Sequence, residues 1–392
     1  MVAALAALGY RESEQKNSDY EYEDYLVVYD LYAPGDQGEG FASVVKSMAV
    51  SIRKWQALVY INPQQLNTAA NLANSSTAAA FDYVYDLVGT VDADEIFLGR
   101  NWQFSNHLLI NAYRRAAKVC YGDSIGIYFS ESYFAPSAAA VNERSNWSLR
   151  RKLKDAKSRL AAAIKPGEGL KEIDFDVGYF SLPDILGQVP PMKTRLVDKR
   201  YSLDVFQKLG GLLEEDFVSG IRDRTSDRPT VILMTSNFAE AERMTLESEI
   251  AAYKEFLKTL DYPRESVLII KPHPRESDAK VHALRSALSD LFPASILLAE
   301  PKIFFVPFEM FLMRVFLGAS SELPQDLKIV TFSTACLSPA LLFNTKPVIG
   351  FGAELVSKYF HGDYASGRIK HERDLQLAIQ RIAEGNQVGI KG

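Results

Sequence analysis

Two cysteines in 392 residues, Cys120 and Cys336, cannot build a disulfide framework, and their spacing matches no CxxC or metal-ligand pattern. That scarcity makes a reducing cytoplasm the default compartment. An excess of charge of one sign is missing too: 44 Lys and Arg against 49 Asp and Glu leave a net charge of −5, which argues against nucleic acid as a partner. Long hydrophobic runs are absent. The opening Met1 to Leu8 is apolar but short and lacks a basic leader, so it reads as the end of a short buried helix rather than as a signal peptide or membrane span. No Gly-x-Gly-x-x-Gly or Walker pattern occurs, which leaves dinucleotide oxidoreductases and P-loop enzymes without support. With 47% hydrophobic and 24% charged residues, the chain has the profile of a soluble globular protein long enough for two domains.

What is present is a repeating strand, helix, strand pattern. Tyr25 to Tyr29 and Ala57 to Ile61 are β-type runs around a helix expected from about Phe41 to Trp55; Glu95 to Arg100 and Lys118 to Tyr121 come next in the same way. Such alternation predicts an α/β fold with mainly parallel strands. Asp92-Ala93-Asp94 lies before a strand rather than after one and reads as surface. Residues 142–171 are basic, with Arg150, Arg151, Lys154 and Lys157 among apolar residues at helical spacing. This stretch is either a solvated helix or a contact for an anionic glycan or membrane surface. The proline-bearing segment from Gly178 to Arg200 reads as a linker. Thr230 to Thr235 then opens a second α/β region, in which Thr235-Ser236-Asn237 either touches ligand or caps a helix expected from Ala239 to Leu257. A last helix near Arg373 to Ala383 has Leu375, Ala378, Ile379 and Ile382 on one face.

The densest chemistry lies between Val267 and Gly352. Val267-Leu268-Ile269-Ile270-Lys271 reads as a buried strand forced out of its sheet by Pro272 and Pro274, which hold His273 in a fixed, exposed turn at the carboxyl edge. His107, His282, His361 and His371 have no such setting and read as packed or surface residues. Ile329 to Leu337 reads as a strand turning directly into a helix. Ser333 would sit at its N-cap and Thr334 in its first turn, an arrangement that suits an anion but that serves equally as a bare cap. Glu309, in an apolar segment, needs partners in order to be buried; Arg314 is one candidate. Asp123, in a glycine-flanked turn after a strand, is either placed for chemistry or a turn aspartate.

In this order, Tyr121-Gly122-Asp123-Ser124-Ile125-Gly126, the His-Pro pair within Lys271 to Arg275, Val306-Pro307-Phe308-Glu309 and Ser333-Thr334 resemble the short motifs of bacterial sialyltransferases, closest to the capsular polysialyltransferase type. The resemblance covers about Asp94 to Gly352. It departs at Gly122, where the acidic motif has a first acid, and at Ser124, where it has glycine. A first strand that the family would place before the opening helix is also not visible. The resemblance implies a GT-B arrangement of two Rossmann-like domains facing a central cleft: residues 1–205 for the acceptor, 206–362 for a CMP-sugar, and a helix in 363–392 that crosses back. It implies an inverting, metal-independent transferase with no cofactor, moving sialic acid from CMP-sialic acid to a glycan hydroxyl in the cytoplasm, with contact to the inner membrane surface as a further expectation. Asp123 would be the base and His273 would stabilise the leaving phosphate. Lys271, Pro274, Ser333, Thr334, Gly122 and Ser236 would line the substrates, and Glu309 would take the ribose hydroxyls. A transferase for a related acid such as Kdo, or an inactive nucleotide- or glycan-binding protein of the same fold, would share these features.

Overall fold

The computed structural model describes residues 1–14, 21–29, 38–100, 103–122, 170–171, 173–182, 190–317 and 322–388. Asp123 and all but the last two residues of the basic stretch 142–171 lie outside them. The described chain forms two compact units, which divide between Ser202 and Leu203.

The first unit begins with a helix, Val2–Glu14, whose Ala6 and Ala7 pack against Val119, Tyr179 and Val197. Strands β1 (Tyr25–Val28) and β2 (Ala57–Tyr60) pair in parallel, and the helix between them runs Gly38–Ile52. The next helix, Pro63–Ser75, starts where the Asn62 and Gln65 side chains each accept the other's backbone N–H at 2.9 Å. A second helix, Thr77–Val88, stops at Gly89 with φ of 87°, the left-handed conformation that glycine adopts most readily. β3 (Glu95–Leu98), β4 (Ala117–Gly122), β5 (Val177–Phe180) and β6 (Lys193–Leu196) form a parallel sheet in that order. The linker expected from Gly178 to Arg200 is therefore corrected, since it supplies most of β5 and all of β6. The Lys-Thr-Arg-Leu of β6 is largely exposed because it is an edge strand, where charge discourages further pairing; that exposure hid it as a strand.

The second unit is built on five parallel strands in the order β11 (Val348–Ile349), β10 (Leu327–Thr331), β7 (Thr230–Met234), β8 (Val267–Lys271), β9 (Ala294–Leu297). Every residue of β7 and β8 is buried, which is why these two read as unbroken aliphatic runs. Over the sheet, Tyr253, Phe256, Phe332, Phe351 and Phe360 form an aromatic core in which the Phe332 and Phe351 ring centroids are 4.3 Å apart. The last helix runs Gly362–Val388 and packs on β11 and on the helices Leu337–Phe343 and Gly352–Tyr359, with Leu375, Ala378 and Ile382 buried. Both cysteines are free and buried. Among the described residues no helix is long and apolar enough to cross a membrane.

Candidate functional site

The strand order fixes where a ligand belongs in the second unit. The chain steps outward from β7 to β8 to β9, then returns to the other side of β7 for β10 and β11. The loops leaving β7 and β10 thus diverge, and the crevice at such a switch point, outside the carboxyl ends of the strands, is where open parallel sheets receive ligands. Thr235 and Ser236 come directly after β7 here, and Phe332, Ser333 and Thr334 directly after β10. His273 comes after β8, one strand over, roughly 4.8 Å in sheet spacing from the end of β7.

His273 is half-buried, a correction to the exposed turn expected from the flanking prolines. The reason is a carboxylate beneath the turn. Glu276 accepts the His273 backbone N–H at 2.6 Å and the Thr235 hydroxyl, drawing the ends of β7 and β8 together. The imidazole Nδ1 accepts the Arg275 N–H at 3.1 Å, so the proton of the neutral ring resides on Nε2. Burial, and after it the charges of Arg275 and Lys280, pushes the ring down to about 4 and keeps it neutral at physiological pH. It can therefore donate one hydrogen bond from Nε2 without carrying charge. Pro274 continues the same turn.

Lys271 is buried and donates to the Phe304 carbonyl at 2.6 Å, with its ammonium 5.4 Å from the centre of the Phe304 ring. Burial lowers it to about 8, against the pull of Glu276 and Glu309. Glu309, in the first turn of the short helix Phe308–Leu312, is raised by burial; the Ser338 hydroxyl donates to it and Lys271 attracts it. Arg314, the partner open to Glu309 on sequence grounds, instead meets Glu215 at 2.5 Å. Glu309 thus joins the β8 end, through Lys271, to the helix after β10, through Ser338.

Ser333 is the cap expected of it, its hydroxyl accepting the Ala335 N–H at 3.4 Å. The chain beyond it forms a 3-10 turn, Thr334–Cys336, and only then a seven-residue α-helix, so the dipole behind the turn is short. Ser236 is buried, its N–H donating to the Tyr253 hydroxyl at 2.8 Å and its carbonyl accepting from Lys280 at 2.7 Å. The helix expected at Ala239 starts instead at Leu246, capped by Thr245, whose hydroxyl accepts the Ser248 N–H at 3.1 Å. Residues 238–244 are turns because the Glu249 carboxylate reaches back to accept the Ala239 N–H at 2.6 Å.

In the first unit, Gly122 ends β4 with φ of 141°, backbone that an L side chain resists, and its carbonyl accepts the Ser181 N–H at 3.0 Å. The structure therefore brings Ser236, Lys271, His273, Pro274, Glu309, Ser333 and Thr334 to one edge of the second unit's sheet, and puts Gly122 at a strand end of the first.

Two buried groups escaped the sequence reading. Lys280, 1% exposed, meets Glu249 at 2.6 Å, Glu276 at 2.8 Å and Glu240 at 3.0 Å. Arg368, 5% exposed, meets Glu372 at 2.7 Å and donates from Nη1 to the Phe332 carbonyl at 2.8 Å. Glu372 in turn accepts the N–H groups of Phe351 at 3.0 Å and Gly352 at 2.9 Å. The only sequence signal was a charge pair four residues apart, a spacing that ordinarily marks a solvated helix face, although Glu276 lies just ahead of its helix, Asp278–Ala287.

Among solved structures, the chain is similar to S. aureus MnaA in complex with UDP, with 10% identity, a TM-score of 0.42, and coverage of 93% of this chain and 91% of that one. It is also similar to a Listeria monocytogenes protein provisionally assigned as a UDP-N-acetylglucosamine 2-epimerase, with 12% identity, a TM-score of 0.36, and coverage of 92% and 91%. No curated protein matches it. Residues 43–313 match the family described as alpha-2,8-polysialyltransferase, well over half of the chain, and the protein belongs to that family of sialyltransferase-type glycosyltransferases.

Proposed function

We propose that the chain moves sialic acid, or a related nonulosonic acid, from a CMP-sugar to a glycan hydroxyl with inversion, in a GT-B arrangement whose second unit binds the donor. The observation that carries this reading is the meeting of His273, Ser236, Ser333 and Thr334 on three neighbouring strand ends at the switch point of the second sheet. In the proposed reaction the acceptor oxygen bonds to the anomeric carbon as Asp123 takes its proton. The bond from that carbon to the phosphate oxygen breaks, and CMP leaves with the electron pair.

Negative charge grows on the departing phosphate, and that is where donors must already stand. His273 donates from Nε2. With its ring held near 4, only about one molecule in a thousand is imidazolium at pH 7, so the role is a neutral hydrogen bond rather than proton delivery. The Ser333 and Thr334 hydroxyls bind the same phosphate. Glu309, raised by burial and steadied by Ser338 and Lys271, accepts from the ribose hydroxyls. Because these groups absorb the charge of the leaving group, the scheme assigns no step to a metal. The family's α-2,8 linkage is the first to assay.

The deciding experiment pairs calorimetric CMP binding with initial transfer rates for Asp123→Asn. A positioned base contributes about 100-fold to 10,000-fold, so transfer should fall by that range while CMP affinity holds. Wild-type protein that neither binds CMP nor consumes CMP-sialic acid would overturn the reading. Turnover of CMP-Kdo in place of CMP-sialic acid would move it to the other acid.

A further inference from the structure

The Arg368 guanidinium lies across the switch point. Its Cζ is 4.8 Å from the ring centre of Phe238, just past the end of β7, while its Nη1 holds the Phe332 carbonyl at the end of β10. Its Nε binds Glu372, which accepts the two amides after Gly350. One side chain and its carboxylate partner thereby lock the turns after β7, β10 and β11 into a single rim. The lock is tight: Gly350 has φ of 75°, and a Cβ there would stand 2.1 Å from Glu372 Cδ. The Phe332 carbonyl belongs to the peptide whose N–H is that of Ser333, so its hydrogen bond to Arg368 helps to set the plane of that peptide, whose N–H meets the Thr331 hydroxyl at 3.5 Å, and with it the start of the Ser333-Thr334 turn.

We propose that Arg368 is a positioning residue for nucleotide phosphate: through the Phe332 carbonyl and Glu372 it aims the Ser333-Thr334 turn at the place where the phosphate binds. This rests on the CMP reading above. Two further observations support it. Arg368 Nη2 is buried without a hydrogen-bond partner among the described residues, so not all of the donors of this guanidinium are used in holding the rim. Arg243 lies close enough to be pushed down to about 10, by burial first and by the charge of Arg368 next, so two arginines share this edge of the sheet. An anion at the adjacent turn offsets their mutual repulsion.

The test compares CMP with cytidine, since only the phosphate should sense this device. Arg368→Lys keeps the charge but lacks the planar fork that reaches Glu372 and Phe332 together. Calorimetry on the full chain should show CMP binding about 10-fold to 100-fold weaker, the equivalent of one charge-assisted hydrogen bond, with cytidine affinity unchanged. A merely structural role would weaken both ligands alike or neither, and an unchanged ratio of CMP to cytidine affinity overturns the proposal. Should the lysine variant not fold, Glu372→Gln carries the same expectation with a smaller loss, and an unchanged ratio there is equally decisive. Wild-type protein that binds cytidine and CMP equally removes the phosphate site itself, a result distinct from one in which only the variant keeps its preference.

Discussion

Two buried ion pairs, each between residues four apart in the chain, stand on either side of β7, and they are charged in opposite senses. At the β8 end one ammonium, Lys280, faces two fully buried carboxylates, Glu249 and Glu276, with Glu240 at the margin, while the neighbouring ammonium of Lys271 is held by the Phe304 carbonyl. At the β10 end a single carboxylate, Glu372, faces Arg368, with Arg243 nearby and one Arg368 nitrogen unpartnered among the described residues. Both devices do the same structural work, accepting loop amides that would otherwise be orphaned at a strand end. The surplus differs. The β8 end has acceptors to spare and holds a neutral histidine; the β10 end has donors to spare and holds two hydroxyls. In the proposed scheme the anion is therefore received at the second, while the first contributes a neutral hydrogen bond that adds no charge of its own.

If the two ends were alike, removing either cation would be equally damaging. Lys280→Met should instead be the worse change, because it strands two buried carboxylates where Arg368→Met strands one. Breaking a buried pair costs about 3–5 kcal/mol, and the Lys280 variant should reach the top of that range in denaturant unfolding. Equal losses for both variants would dissolve the contrast.

His273→Ala comes next. Among the described residues the imidazole's hydrogen-bonding role is to accept the Arg275 N–H, so stability should change little, while turnover of CMP-sialic acid falls about 100-fold or more with the loss of a donor to developing charge. A variant that turns over normally would leave the β8 end with structural work alone. Smaller again is Glu309→Gln. In the proposed scheme its ribose contacts are present in ground and transition states alike, so KM should rise by about 10-fold with kcat preserved. A fall in kcat at constant KM would give Glu309 a different task.

Much of this edge could be read from the chain because its strands are covered on both faces. Val231 to Met234 and Val267 to Ile270 had to be continuous apolar runs, and their ends marked Ser236 and His273. The Ser333 cap was equally plain, since a hydroxyl after an aliphatic strand has few other uses. What stayed hidden was set by distant partners. Glu276 and Lys280, or Arg368 and Glu372, look like solvent-facing pairs until the loops that they hold are placed above them. The late start of the helix at Leu246 depends on Glu249 reaching back to Ala239, and no local propensity encodes that contact. Strand β6 was missed for the opposite reason: its residues face solvent and carry charge.

The surplus of carboxylate at the β8 end also has a signature in pH. Burial raises Glu249 to about 7, against the pull of Lys280, and raises Glu276 as well, so Glu249 holds a proton over a range of pH in which the unfolded chain has already released it. A carboxylate whose folded value is raised stabilises the fold below its unfolded value, here 4.5, and that contribution is lost as pH rises to about 7. His273 and His371 act in the other direction. Burial lowers them to about 4 and about 3, so they oppose folding as pH falls below the ordinary 6.5. Wild-type stability alone would mix these slopes, but Glu249→Gln separates them, because a neutral amide cannot titrate and both histidines remain. The difference between variant and wild type should be flat below about 4.5, shift in favour of the variant by at most roughly 3 kcal/mol as pH rises to about 7, and level off above. A difference that stays constant across this window would mean that Lys280 keeps both carboxylates ionised, and the β8 end would then carry a full negative surplus beside His273 rather than a proton.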